Sequence, residues 1–318
     1  MAGPGVYGYS DNCGSAYASE VKPMPLRVLV PLDGSPEGEA VLGHLDRIVR
    51  PDSAISLLHV IPDPDPPTGP IPTEWIMLPG RIHEYLEGLS DRYSLRNAKT
   101  IIRIGPLADR IIQAALELDI HLILMMAHSR GGVPTRFTEK VVEAVVRGSS
   151  LPVLLVRPGL PDLPHPLRRL LVAVDGSRDS FRILQSVRLL SPKGPLEVAV
   201  LRLESPAYIT EPWTDFTLGT TTGDPADAES SLEECVRALD GEGLRTRAMI
   251  ARGDPAEEIL RHAARLESDL IALAEIGQDG ADPSVLGTAA SILLRRMDRP
   301  LFLHRVLPGP FPSATGRR

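Results

Sequence analysis

From Leu26 to Val306 the chain alternates short, nearly unbroken apolar runs with stretches whose apolar residues recur every three to four positions. In the first half the runs are Leu26–Pro31, Ala54–Ile61, Thr100–Ile104, Leu122–Met126 and Val153–Val156. In the second they are Leu170–Val174, Leu196–Leu203, Arg247–Ala251, Leu270–Ala274 and Leu301–His304. Runs this short, without polar alternation, predict strands buried on both faces, as in a parallel sheet. Between them, Leu107, Ile111, Ala115 and Leu118 share one helical face, and Ala256, Ile259, Leu260 and Ala263 share another. Strand and helix alternating at this spacing predict an α/β fold: two tandem, open, five-stranded, doubly wound parallel sheets. The Pro/Gly-rich segments Pro62–Gly80 and Glu204–Asp224 read as long loops after each second strand.

The two halves carry the same signals in the same order. Asp33 in LRVLVPLDGSPEGEA (Leu26–Ala40) matches Asp175 in LRRLLVAVDGSRDSF (Leu167–Phe181), 142 positions on. Gly105 in IRIGPLADRII matches Gly253 in IARGDPAEEIL, and Pro152 matches Pro300, both 148 positions on. An offset that holds from the middle of each half to its end indicates an internal duplication. The resulting organisation is a tail over 1–24, a first domain over 25–158, a proline-rich linker over 159–166, a second domain over 167–306 and a tail over 307–318. The first tail lacks the basic and apolar regions of a signal peptide, and both tails are expected to be disordered.

Composition narrows the function. A net charge of −7 argues against a nucleic-acid binder that relies on a broad basic field. No apolar run approaches the roughly 20 residues of a membrane helix. Two cysteines, Cys13 and Cys235, make neither a disulfide framework nor a zinc motif, so a reduced, cytoplasmic setting is expected. His83, His121, His165 and His262 form no metal spacing and read as surface or helix-face residues. No Walker loop and no GxSxG nucleophile elbow occurs, and no catalytic constellation is expected.

Candidate chemistry sits in two loops. Ligands of doubly wound sheets bind at the carboxyl ends of strands, where the strand order reverses. After each first strand stands Asp33-Gly34-Ser35-Pro36 or Asp175-Gly176-Ser177. The aspartate can accept hydrogen bonds from ribose hydroxyls; equally, Asp-Gly-Ser followed by Pro36 is the signature of a turn and a helix cap. After the fourth strand of the second half come Ala274 and Gly277, then nine residues, then Gly287-Thr288 and a helical pattern. Glycines there let a phosphate approach the backbone, and the helix N-terminus favours an anion. A plain glycine turn with a threonine cap fits the same residues.

Taken together, twice and in order, these features resemble the universal stress protein family in tandem two-domain form. The family pattern is Gly-x2-Gly-x9-Gly-Ser/Thr, with an aspartate after the first strand and a Pro-Val-Leu-type last strand. The resemblance implies an adenine-nucleotide alpha-hydrolase-like fold, ATP or AMP as cofactor and pairing through the last strands. It implies no metabolic chemistry. In the second half Gly277, Gly287 and Thr288 match, while Ala274 replaces the first glycine. The loop between carries Asp279 and Asp282 and no Lys or Arg, so nucleotide binding is expected to depend on Mg2+ or to favour fewer phosphates. In the first half Asp33 and His128 remain, but Met126, Ser129 and Glu139 stand at the glycine positions and Lys140 at the Ser/Thr position. Arg130, Arg136 and Lys140 either attract an anion or form a solvated face. By the resemblance, adenine contacts backbone at Val60 or Leu203, with Pro31 or Ala173 as the pocket floor.

The leading expectation is a regulatory nucleotide-binding stress protein whose site, in the second domain, comprises Asp175, Gly176, Ala173, Leu203, Ala274, Gly277, Gly287 and Thr288. Pro31, Asp33, Val60 and His128 are the weaker first-domain set. The alternative is a scaffold of the same fold that binds protein partners and no nucleotide. An ATP pyrophosphatase-like enzyme ranks last, because that family's phosphate loop opens Ser-Gly-Gly where this chain has Asp175-Gly176-Ser177. Unpaired last strands, Leu151–Val156 and Leu301–His304, would be exposed apolar edges, so they are expected to pair within the chain as a pseudo-dimer.

Overall fold

The computed structural model describes residues 25–49, 52–62, 73–127, 136–159, 167–175, 180–187, 189–190, 195–204, 244–276 and 287–306. Both tails, residues 160–166 of the linker and the segment that contains Cys235 lie outside them. The first half contributes β1 (Arg27–Leu32), β2 (Ala54–Ile61), β3 (Lys99–Ile104), β4 (Leu122–Met126) and β5 (Val153–Val156). The second contributes β6 (Arg169–Val174), β7 (Leu196–Glu204), β8 (Leu244–Arg252), β9 (Leu270–Ile276) and β10 (Leu301–Val306). Each half has the strand order 3-2-1-4-5, all parallel, and the two join edge to edge as β3-β2-β1-β4-β5-β10-β9-β6-β7-β8.

The seam is the sole antiparallel pairing among the described strands. Leu301, Phe302 and Leu303 of β10 lie opposite Leu155, Leu154 and Val153 of β5. Strands whose pattern is apolar on both faces thus hide their edges in each other, as expected from sequence. The core is continuous across the seam. On one face Leu154, Val156 and Phe302 share a cluster with Val28, Val30, Val172 and Val198. On the other, Val153, Leu155, Leu301 and Leu303 pack with Ile111, Val145, Ile259 and Leu293.

Helices fall on the two faces as the strand order dictates. Connections after the first and second strands cover one face: α1 (Pro36–Glu39), α2 (Leu45–Ile48), α3 (Thr73–Arg92) and, in the second half, α6 (Ile183–Val187). Those after the third and fourth strands cover the other: α4 (Leu107–Glu117), α5 (Glu139–Gly148), α7 (Pro255–Arg265) and α8 (Thr288–Arg296). The duplication persists in the backbone. Gly105 and Gly253 follow β3 and β8 with φ of +136° and +147°, a region that only glycine enters readily. Arg27 and Arg169, at the starts of β1 and β6, pair with Asp119 and Glu267 at the ends of α4 and α7.

Two expectations need correction. Thr73–Gly80, read as loop, is the start of α3 and carries Pro79 inside the helix. Downstream, Ile82, Leu86 and Leu89 bury one stripe against the core, and that packing outweighs the missing Pro79 donor. Strand β8 runs three residues earlier than its apolar run, because Leu244, Arg245 and Thr246 continue the parallel register with β7. His262 takes the helix-face reading: it is buried on the inner stripe of α7 with Ala256, Ile259 and Ala263, and its Nδ1 lies 2.8 Å from the Glu258 carbonyl oxygen.

Candidate functional site

In each half the order of the strands reverses between the first and fourth, β1 and β4 or β6 and β9, which opens a crevice at their carboxyl ends. The described second-half candidates lie near that edge. Asp175 directly follows β6 and is exposed. Ala173 is fully buried in β6, and Leu203 is half-buried near the end of β7 on the same face. Ala274, near the end of β9, packs toward the opposite face. Gly287 is the N-cap of α8 and accepts the first helical bond from Ser291 N at 2.9 Å; Thr288, exposed, begins the helix. The N-cap residue itself, a glycine, brings no side-chain cap bond, and neither does Thr138, the N-cap of α5. The first amides of any α-helix lack a partner within the helix, so this N-terminus presents N–H groups and a positive dipole end. Gly176, Gly277, Asp279 and Asp282 lie outside the described residues.

The corresponding edge of the first half is occupied by the chain itself. Asp33 Oδ1 accepts from Ser35 N at 3.0 Å and Ser35 Oγ at 2.6 Å, and Oδ2 accepts from Arg136 N at 3.2 Å. Ser35 Oγ in turn accepts from Gly38 N at 3.0 Å, with Pro36 at the first helical position. A Cβ at Gly38 would approach Asp33 Oδ1 to 2.5 Å, so the carboxylate is walled in by the first turn of α1. Here Asp-Gly-Ser does what turn chemistry predicts and caps a helix. Pro31 and Val60 are buried strand positions, and His128 lies outside the described residues.

Glu139 is the first residue of α5, where its charge suits the helix dipole. Its Oε1 accepts from Arg295 Nε of the second half at 3.0 Å. The start of α5 thus carries a carboxylate of its own, paired with a guanidinium of the other half.

His59 was not singled out from sequence, although it is the one ionisable residue inside the run AISLLHVI. It lies opposite Leu32 at the carboxyl end of β2, buried, with Nδ1 unpartnered among the described residues. Burial lowers its pKa and the Arg136 charge adds to this, against the Leu32 carbonyl and Asp33. The ring is neutral near pH 7. Among the described residues no group of three or more His, Cys, Asp or Glu side chains is arranged to hold a metal ion, and no helix is long and apolar enough to cross a membrane. Two concavities lie away from the carboxyl ends of the strands: about 170 Å³ beside Ile112, Leu116 and Arg147, and about 220 Å³ beside Arg169, Arg245 and Arg247 at the amino ends of β6 and β8.

Comparison with known proteins adds a family to this geometry. The model of the universal stress protein family matches residues 24–157 and again 166–305. The fold is similar to that of a universal stress protein from Archaeoglobus fulgidus DSM 4304, with 20% identity, a TM-score of 0.63 and coverage of 88% of this chain and 96% of that one. It is also similar to a putative universal stress protein from Pseudomonas aeruginosa UCBPP-PA14, with 15% identity, a TM-score of 0.52 and coverage of 92% and 95%. None of the curated proteins compared matches the chain.

Proposed function

The chain belongs to the universal stress protein family, and on that premise we propose that it is a regulatory adenine-nucleotide-binding protein with a single site, in its second half. The observation that carries this reading is the contrast between two equivalent helix starts. Gly287 brings no side chain to the N-terminus of α8, whereas the residue 148 positions earlier, Glu139, places a carboxylate at the N-terminus of α5. The first arrangement suits a phosphate group and the second repels one.

The residues present fit an adenine nucleotide. Gly287 and Thr288, with Gly277 and Ala274, would face the phosphates. Asp175 and Gly176 would face the ribose, and Leu203 and Ala173 the adenine. A bound nucleotide would supply a ligand-dependent state that partner proteins distinguish, so the protein acts as a regulator rather than as a metabolic enzyme. Mg2+ would accompany ATP, because Asp279 and Asp282 add negative charge to the same loop. A cytoplasmic setting fits this role.

A second reading is a scaffold without nucleotide. It is favoured by Ala274 at the first glycine position and by the engagement of Asp33 within its own loop. The two separate on one experiment. Purified protein is denatured in acid, and the released small molecules are chromatographed and then titrated back. Released ATP or AMP that rebinds supports the first reading; no release together with no rebinding supports the scaffold.

A further inference from the structure

Two side chains of the first half reach across the seam to the last turn of α8. Arg157 follows β5. Its Nη2 donates to the Leu294 carbonyl at 2.5 Å, and its Nη1 to those of Met297 at 3.2 Å and Arg295 at 3.4 Å. Glu139 pairs with Arg295 at 3.0 Å. The second half reaches back across the seam at other atoms, with His304 Nε2 3.0 Å from the Ser150 carbonyl oxygen. Arg305, 148 positions after Arg157, donates to the Arg147 carbonyl at the end of α5. The position equivalent to Glu139 is Gly287, which has no side chain to reach Arg147. The half that departs from the glycine motif therefore braces the last turn of α8 in the half that keeps more of it.

We propose that the first half is the positioning element of the second-half site, with Arg157 and Glu139 fixing the axis of α8 so that its N-terminal amides face the phosphates of the bound nucleotide. This rests on the functional reading above. A helix is stiff along its axis, and α8 is only nine residues long, so an anchor on its last turn sets the direction of its first. Arg157 is a positioning residue: it acts through α8 and touches no ligand. Loss of the anchor should weaken contacts to phosphates and spare contacts to adenine and ribose, which come from strand ends. Arg305 holds α5 and should not matter to either.

Calorimetric titration of the full chain with ATP plus Mg2+, and separately with adenosine, tests this in wild type, Arg157→Ala, Arg157→Lys and Arg305→Ala. The expected result is ATP affinity lowered about fivefold or more by Arg157→Ala, the lower end of ordinary site-to-site coupling. Arg157→Lys should recover part of it, Arg305→Ala should leave it unchanged, and adenosine should bind alike throughout. Equal losses for ATP and adenosine, equal effects of Arg157→Ala and Arg305→Ala, or no effect of Arg157→Ala would each overturn the proposal alone. If Arg157→Ala does not fold, Glu139→Gln carries the test: weaker ATP with unchanged adenosine supports the proposal, and unchanged ATP overturns it. A wild type that binds neither ligand overturns the functional reading and this inference with it.

Discussion

Arg157 and Arg305 occupy equivalent places in the two halves, and each caps the last helix of the other half with its guanidinium group. Arg157 serves the carbonyls of Leu294, Arg295 and Met297, and Arg305 that of Arg147. Burial lowers the Arg157 pKa, against the nearby Glu139 carboxylate, but an arginine stays charged throughout. Hydrogen bonds from a charged donor to such carbonyls contribute about 1.5–3 kcal/mol. Arg157→Ala should therefore lower stability by about that amount. Urea unfolding followed by circular dichroism measures the loss; an unchanged midpoint would mean that these contacts contribute nothing to stability.

The seam also makes the two halves a single cooperative unit. Phe302 is fully buried, lies opposite Leu154 and joins a cluster with members from both halves. Phe302→Ala should cost about 3–5 kcal/mol, the range for deleting a buried ring. Unfolding should remain a single transition in wild type and split in the variant. A wild type that already unfolds in two separate steps would contradict a shared core.

Acid should destabilise the protein from about pH 6.5 downward. His59 and His304 both have pKa values lowered by burial. His304 lies at the seam, with Nδ1 2.6 Å from Ser186 Oγ and Nε2 3.0 Å from the Ser150 carbonyl oxygen. A ring that stays neutral when folded takes up its proton more readily when unfolded. Its stabilising contribution is therefore complete above the unfolded pKa and lost as pH falls below it. Melting temperatures should be flat above about pH 6.5 and fall below it. His304→Gln, which keeps a donor for Ser150, should flatten part of the fall. An unchanged profile would place the acid sensitivity elsewhere.

Ser35→Ala should cost about 1 kcal/mol through loss of the α1 cap, the usual value for such a residue. It should leave nucleotide affinity unchanged, because Asp33 and Ser35 bond to each other and to the loop. Thermal melts with and without ATP check both halves of this statement. A lost ATP-induced shift would make the first half a binding site.

The strands were legible because each is a buried parallel strand, and such strands must be apolar on both faces. Runs such as Ala54–Ile61 and Val153–Val156 therefore mark their own ends. The duplication was legible because Gly105 and Gly253 meet the same backbone demand. Helix α3 was misread at its start because Pro79 is a local breaker that tertiary packing overrides. At the candidate site the sequence indicated Gly287 and Thr288 through spacing. It did not indicate that Glu139 meets Arg295 or that Arg157 reaches Leu294. Those pairs are 156 and 137 positions apart and arise only when the two last strands align antiparallel. His59 was hidden for a related reason: a buried histidine in an apolar run has no motif, and its neighbours Asp33 and Arg136 come from the turn after β1 and the segment just before α5.

The central claim is that one half binds and the other braces, and the stoichiometry of ATP binding tests it most directly. Titration of the full chain by calorimetry, in the presence of Mg2+, should give one ATP per chain. Gly287→Glu, which gives the second half the residue that the first half has at Glu139, should abolish binding, and Ser129→Glu in the first half should leave it intact. Two ATP per chain, or one that survives Gly287→Glu and disappears in Ser129→Glu, would contradict the account.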